Sequence, residues 1–224
     1  MAWGVDFNAP AALTGVNAAY RLASHAALTP TSWTTSMRDN DPLNMPTASA
    51  SEGHLLPYSD VSLADGRRVL IRPMNPSNAD AERAFIAALS PEARRNRFQE
   101  QFTTPSEALV NSLIDVDHSN DEAFVALSEQ SRHTEIVGVS RYAVGSDPQQ
   151  CEIAVTVLDA WQDLGLGTAL MRRLIDAAKE RGIVRMISLD FAENRWMTHL
   201  AQALGFVTTP DPDDRTQVVH ALTL

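Results

Sequence analysis

The sequence predicts a layered α/β protein, a mixed and mostly antiparallel sheet flanked by helices. Three observations predict it. The strand-like run Glu152 to Leu158 passes through the turn Gln162-Asp163-Leu164-Gly165-Leu166-Gly167-Thr168 into an amphipathic helix, Thr168 to Arg181. Three apolar runs upstream, 123–127, 136–144 and 151–158, are separated by polar or turn residues and fit consecutive antiparallel strands. The order strand, helix, strand around the glycine turn demands a right-handed crossover and hence one parallel pair.

Residues 1–60 read as an irregular extension. Pro10, Pro30, Pro42, Pro46 and Pro57 are spread through Ala, Ser and Thr clusters, with few bulky apolar side chains to offset the entropy of ordering. Within it, Leu13, Val16, Tyr20, Ala23 and Ala27 recur at helical spacing, so a short helix over 10–28 is placed to dock on the domain or on a second copy in a homodimer. Met45 is a candidate start codon, because the folded pattern begins only after it.

The domain, 61–224, opens on the turn Asp65-Gly66 and a strand, Arg67 to Pro73, that the proline stops. A helix over 80–89 follows, with Ala81, Ala84, Phe85 and Ala88 on one side, and Ser90-Pro91-Glu92 opens a second with Ser at the cap. That helix carries Arg94, Arg95 and Arg97, read as a solvated or carboxylate-paired face. A third helix spans 107–114, ahead of the three strands. In the helix after the glycine turn, Leu170, Leu174, Ile175, Ala177 and Ala178 form the core face. Gly182 ends it, 184–190 is a buried strand, 194–204 the last helix and 216–222 the last strand.

Composition bounds the function. A formal net charge of −10 argues against nonspecific binding to nucleic acid or an anionic membrane. The single cysteine, Cys151, excludes an internal disulfide and suits a reducing, cytoplasmic setting; without a Cys–His arrangement it reads as a half-buried strand residue. The six histidines show no ligand spacing, so no metal is expected, and no apolar run approaches membrane-spanning length.

The glycine turn holds the chemistry. Two glycines at a strand-to-helix junction let backbone N–H groups point outward at a helix start, where unpaired donors and the macrodipole hold a phosphate. Gly165-x-Gly167 also begins a dinucleotide-binding pattern, but Leu170 occupies the third glycine position and sets that reading aside.

The spacing Gln162-x-x-Gly165-x-Gly167, with Asn194-x-x-Met197 and Gly205-Phe206 downstream, resembles the GNAT acetyltransferase superfamily over about residues 62–224. Ile71-Arg72-Pro73, Leu89-Ser90-Pro91-Glu92 and the strand Cys151 to Val155 further resemble its bacterial Pat-like branch, associated with acetylation of protein lysines. The resemblance implies a V-shaped splay between two parallel central strands and acetyl-CoA as co-substrate. Its pyrophosphate would lie on Gln162, Asp163, Leu164, Gly165, Leu166, Gly167 and Thr168. Its pantetheine arm would lie along Val155, Val157, Leu158 and Asn194, with a backbone N–H near Val155 facing the thioester oxygen. Glu152 stands where Pat-like sequences place a glutamate and is the candidate base for direct attack by the amine. Two departures stand out. Asp163-Leu164 replace the basic residue common before the first glycine, which leaves Arg172 or Arg173 as candidates for the 3′-phosphate. Ala201 replaces the tyrosine that many members use as general acid, leaving that role unassigned. The expected function is N-acetylation of a primary amine, a protein lysine favoured. The alternatives are a small-molecule amine acetyltransferase and a catalytically silent acyl-CoA sensor or scaffold.

Overall fold

A computed structural model of the protein describes residues 58–99, 102–129 and 135–224. The helix expected over 10–28, Met45 and nearly all of the extension lie outside the described residues. In chain order the elements are β1 (Ser59–Ser62), β2 (Arg68–Pro73), α1 (Ala79–Ala88), α2 (Pro91–Phe98), α3 (Glu107–Ile114), β3 (Asp121–Ser128), β4 (Glu135–Val144) and β5 (Gln150–Val157). They continue with α4 (Leu166–Glu180), β6 (Arg185–Phe191), α5 (Arg195–Ala203), β7 (Val207–Pro210) and β8 (Gln217–Thr223). The strands form one sheet in the order β1-β2-β3-β4-β5-β6-β8-β7, and β5–β6 is its parallel pair.

Local chemistry sets the helix starts. Ser90 accepts the Ala93 N–H at 3.2 Å with Pro91 in the first turn, and Ser106 accepts the Leu109 N–H at 3.1 Å. Asn194 accepts the Met197 N–H at 3.2 Å. β1 begins at Ser59, two residues before the expected domain start, and pairs with β2. β7 was not expected. Four residues long and bordered by Gly205 and Pro210, it lacks a run long enough to read as a strand.

Helices cover both faces. On one, Leu166, Leu170, Met171 and Leu174 of α4 and Met197 and Leu200 of α5 pack on Phe124, Tyr142, Ile153 and Met186. On the other, Phe85, Ile86, Leu113 and Ile114 pack on Val125, Ile136 and Val139. The buried face of α1 is therefore Glu82, Phe85 and Ile86, whereas Ala84 and Ala88 of the expected face are exposed. Alanines recur at helical spacing on either side of this helix, so periodicity alone did not select the face.

Gly167 is where α4 meets α5. A Cβ there would lie 2.9 Å from Cζ2 of Trp196 and 3.3 Å from Cδ2 of Leu200, so a glycine is needed for close approach. Gly165 serves a different need, with φ at +89° at the helix cap and open space around it. Gly167→Ala is expected to destabilise the fold by about 1–3 kcal/mol through overpacking against a rigid indole. Gly165→Ala should cost about 1–2 kcal/mol through backbone strain alone. Paired with Trp196→Leu, the first loss should shrink and the second persist in chemical denaturation.

Glu82 lies buried beneath α1 with Oε2 lacking a hydrogen-bond partner. Burial pushes its carboxyl up to about 7 against the pull of Arg97 and Arg141. A folded-state value above the unfolded one gives stability that is present below pH 4.5 and lost as pH rises through 7. Glu82→Gln should therefore gain on the wild type across that window, by on the order of 3 kcal/mol at its upper end. Unfolding midpoints at pH 4.5 and pH 8 check this.

Candidate active site

The two central strands part company after a short contact. β5 and β6 pair in register at Gln150–Arg185, Cys151–Met186 and Glu152–Ile187, and no further. Beyond that point β5 follows β4 as far as Val157, and β6 follows β8 as far as Phe191. Twisted neighbours on either side pull the pair open into the expected V. The opening is a cleft of about 270 Å³. Its walls are Ile153 to Val157, Ser188 to Asp190, the α2 side chains Glu92, Asn96 and Arg97, and Asn194, Trp196 and Met197 at the start of α5.

Strand alternation decides which backbone groups edge the cleft. The Leu158 N–H bonds the Val137 carbonyl, so even-numbered residues of β5 turn their amides to β4. The Gln149 carbonyl accepts from Val184 and Arg185, so odd-numbered residues face β6. Ile153, Val155 and Val157 consequently turn N–H and C=O toward the gap. Leu158, also expected at the site, commits its N–H to β4.

At one end of this wall lies the glycine turn. The Gln162 amide donates to the Val157 carbonyl at 3.1 Å, and the Ala64 N–H donates to the Leu164 carbonyl at 3.2 Å. Arg67 lies over the Trp161 ring at 4.0 Å, donates to the Ala160 carbonyl at 2.8 Å and is held by Asp65 at 2.6 Å. The β1–β2 turn thus braces the segment ahead of the helix. Asp163 is exposed with φ at 56°. Leu166 and Gly167 are buried and Thr168 is half-buried, so the backbone amides of this first turn are what the turn can offer a ligand. Arg172 is exposed, while the Arg173 guanidinium lies over the Phe124 ring at 5.5 Å, committed to the sheet.

Charged groups meet at the cleft floor. Its wall begins at Ile153, one residue past Glu152, which is half-buried and acts electrostatically on Arg97. Burial lowers Arg97 to about 10. Asp190 is raised by burial, against the Ser188 hydroxyl, His220, Arg97 and the Asn194 amide. Arg95 bridges to Glu193 at the rim and lies 4.1 Å from the Phe191 ring centre. The arginines of α2 therefore divide, Arg95 pairing a carboxylate as expected and Arg97 lining the cleft. Burial pushes the Cys151 thiol up to about 12, so it is a core group and no nucleophile. Ala201 is buried in the core.

Sequence reasoning missed Arg67, Asn96, Ser188, Asp190 and His220. Asp65-Gly66 carried a turn signal with no hint of its contact with Trp161. Asp190 and His220 meet only through β6–β8 pairing. Among the described residues no His, Cys, Asp and Glu group could hold a metal, and no helix is long and apolar enough to cross a membrane.

Comparison with known proteins agrees with this geometry. The acetyltransferase (GNAT) family pattern matches residues 84–206. Acetyltransferase PA5475 of Pseudomonas aeruginosa is 48% identical over 163 residues, 73% of this chain and 88% of that protein. Acetyltransferase Pat of Mycolicibacterium smegmatis is 27% identical over 148 residues, 66% of this chain but only 44% of that longer protein. Among solved structures, the GNAT domain of S. lividans PAT superposes with a TM-score of 0.68 at 23% identity, over 75% of this chain and 97% of that domain. The parted strands, the helix start beside them and these likenesses agree: the chain belongs to the GNAT family and is an N-acetyltransferase.

Proposed function

We propose that this acetyltransferase draws its acetyl group from acetyl-CoA and passes it directly to a primary amine, foremost a protein lysine. The observation that carries the reading is the continuity between the β5–β6 gap and the first turn of α4, joined by the Gln162–Val157 hydrogen bond. A pantetheine arm carries amides that need backbone partners, and the edge of Ile153, Val155 and Val157 offers them. A pyrophosphate needs N–H donors and a positive dipole end, which the turn from Gln162 to Thr168 supplies through Asp163, Leu164, Gly165, Leu166 and Gly167. The Val155 N–H then polarises the thioester carbonyl. Asn194, already bonded to the Met197 N–H, borders the arm with its remaining polar atoms.

The acceptor enters as an ammonium with a pKa of about 10.4 and must lose a proton before it can attack. Glu152 takes it through water. It sits on the α2 face of β5, one residue below the cleft, beside Arg97. Glu92 and Asp159 line the cleft and favour a cationic acceptor. The resemblance to the Pat-like branch favours a protein lysine over a free amine, and the buried, lone Cys151 suits work in the cytoplasm.

Calorimetric titration with acetyl-CoA tests the cofactor reading. The wild type is expected to bind, and Thr168→Asp should weaken binding at least about tenfold, because a carboxylate in the first turn repels the pyrophosphate while favouring the helix dipole. Equal affinity in a folded variant would remove the turn from the site. Glu152→Gln should leave acetyl-CoA affinity intact and lower turnover on poly-L-lysine by about 10²-fold. Binding by the wild type with no consumption across an amine panel would point to a sensor instead.

A further inference from the structure

The cleft has a second titratable wall, and it faces away from Glu152. Alternation along β6 puts Met186, Ser188 and Asp190 on one side of the sheet, and Met186 belongs to the core under α4 and α5. Cys151 and Ile153 of β5 belong to that core too, so Glu152 points to the opposite side, toward α2. The two carboxylates flank the gap from its two faces.

Asp190 lines the cleft with its side chain 12% exposed. Ser188 Oγ donates to Asp190 Oδ2 from the same strand, and the Asn194 amide reaches the carboxylate from the cap of α5. Arg97 faces it from α2. Behind it, on β8, His220 is fully buried: its Nδ1 meets Thr208 Oγ1 at 2.8 Å, and its Nε2 has no hydrogen-bond partner but lies 3.9 Å from Asp190 Oδ2. At 3.9 Å the two groups are not hydrogen-bonded, so the buried imidazole acts on the carboxyl electrostatically. Burial raises Asp190 and lowers His220, which favours a protonated carboxyl beside a neutral imidazole.

We propose that Asp190, backed by His220, gives a proton to the CoA thiolate as it leaves, the role that Ala201 cannot fill. The proposal rests on the reading that acetyl-CoA occupies the cleft. The amine nitrogen attacks the thioester carbon, forming the C–N bond, and the oxyanion faces the Val155 N–H. On collapse the C–S bond breaks and its electron pair goes to sulfur, which takes the proton from the Asp190 carboxyl. Glu152 passes the ammonium's first proton to solvent before the attack, and the surplus proton on nitrogen then leaves by the same route. Water entering the vacated cleft reprotonates Asp190.

Asp190→Asn and His220→Gln, assayed with acetyl-CoA and poly-L-lysine across pH, test this. Wild-type kcat should fall as pH rises through the titration of the pair, since an ionised Asp190 has no proton to give. Asp190→Asn should lower kcat about 10²-fold, leave KM for acetyl-CoA unchanged and lose that alkaline limb. His220→Gln should keep the cleft intact, lower kcat in the same direction and displace the limb. An Asp190→Asn enzyme with wild-type kcat, or with the limb in place, overturns the proposal. Should that variant fail to fold, an unmoved limb in His220→Gln overturns it. A wild type that transfers no acetyl group overturns the proposed function and this inference with it, whereas an active wild type matched by both variants overturns this inference alone.

Discussion

Everything at this site depends on a failure of strand pairing. A central parallel pair would ordinarily continue, because each residue that stops pairing leaves an N–H and a C=O to be satisfied elsewhere. Here β5 and β6 are each held more extensively by an outer neighbour than by one another. The sheet twist therefore separates them where their mutual register ends. The result is a row of backbone groups in the middle of a folded domain with no strand opposite; Gln162 bonds the Val157 carbonyl at one end, and an extended ligand or water can complete the rest.

Such an opening must be prevented from collapsing, and the surroundings serve that end. α4 and α5 close one side, and their contact is tight because Gly167 presents no side chain to Trp196. The turn ahead of α4 is fixed by Gln162, by Ala64 and by the Arg67–Trp161 stack, so its amides are aimed before any ligand arrives. Preorganisation of this kind lowers the ordering cost of binding. Under the proposed function it also compensates for the missing basic residue, since the dipole and aligned N–H groups need no side-chain charge.

Much of the architecture was legible in the sequence, and the limits have physical causes. The glycine turn, α4 and strands β2 to β6 announce themselves through periodicity and caps, which are local properties. Gly165 and Gly167 read alike as letters yet differ in cause, one being a backbone conformation and the other a contact with a helix about thirty residues on. The buried face of α1 eluded periodicity because alanine at Ala84 and Ala88 marks no side, and because Glu82 is a charged residue in a core position. Glu152 was singled out as the candidate base only through resemblance. Asp190 was invisible as a chemical group, since its environment is assembled largely from β8 and α2, both distant in sequence, with only the cap of α5 nearby.

Placing two carboxylates on opposite faces of a parted sheet solves an electrostatic problem. Side by side they would share a proton and lose their distinct roles. With β5 and β6 between them, each is governed by its own neighbours. Arg97 interacts electrostatically with both. For Asp190 the effect of that cation is outweighed by burial, which raises it. The strand separation that opens the cleft thus also sets the proposed acid and base apart, so one geometric feature serves both parts of the proposal.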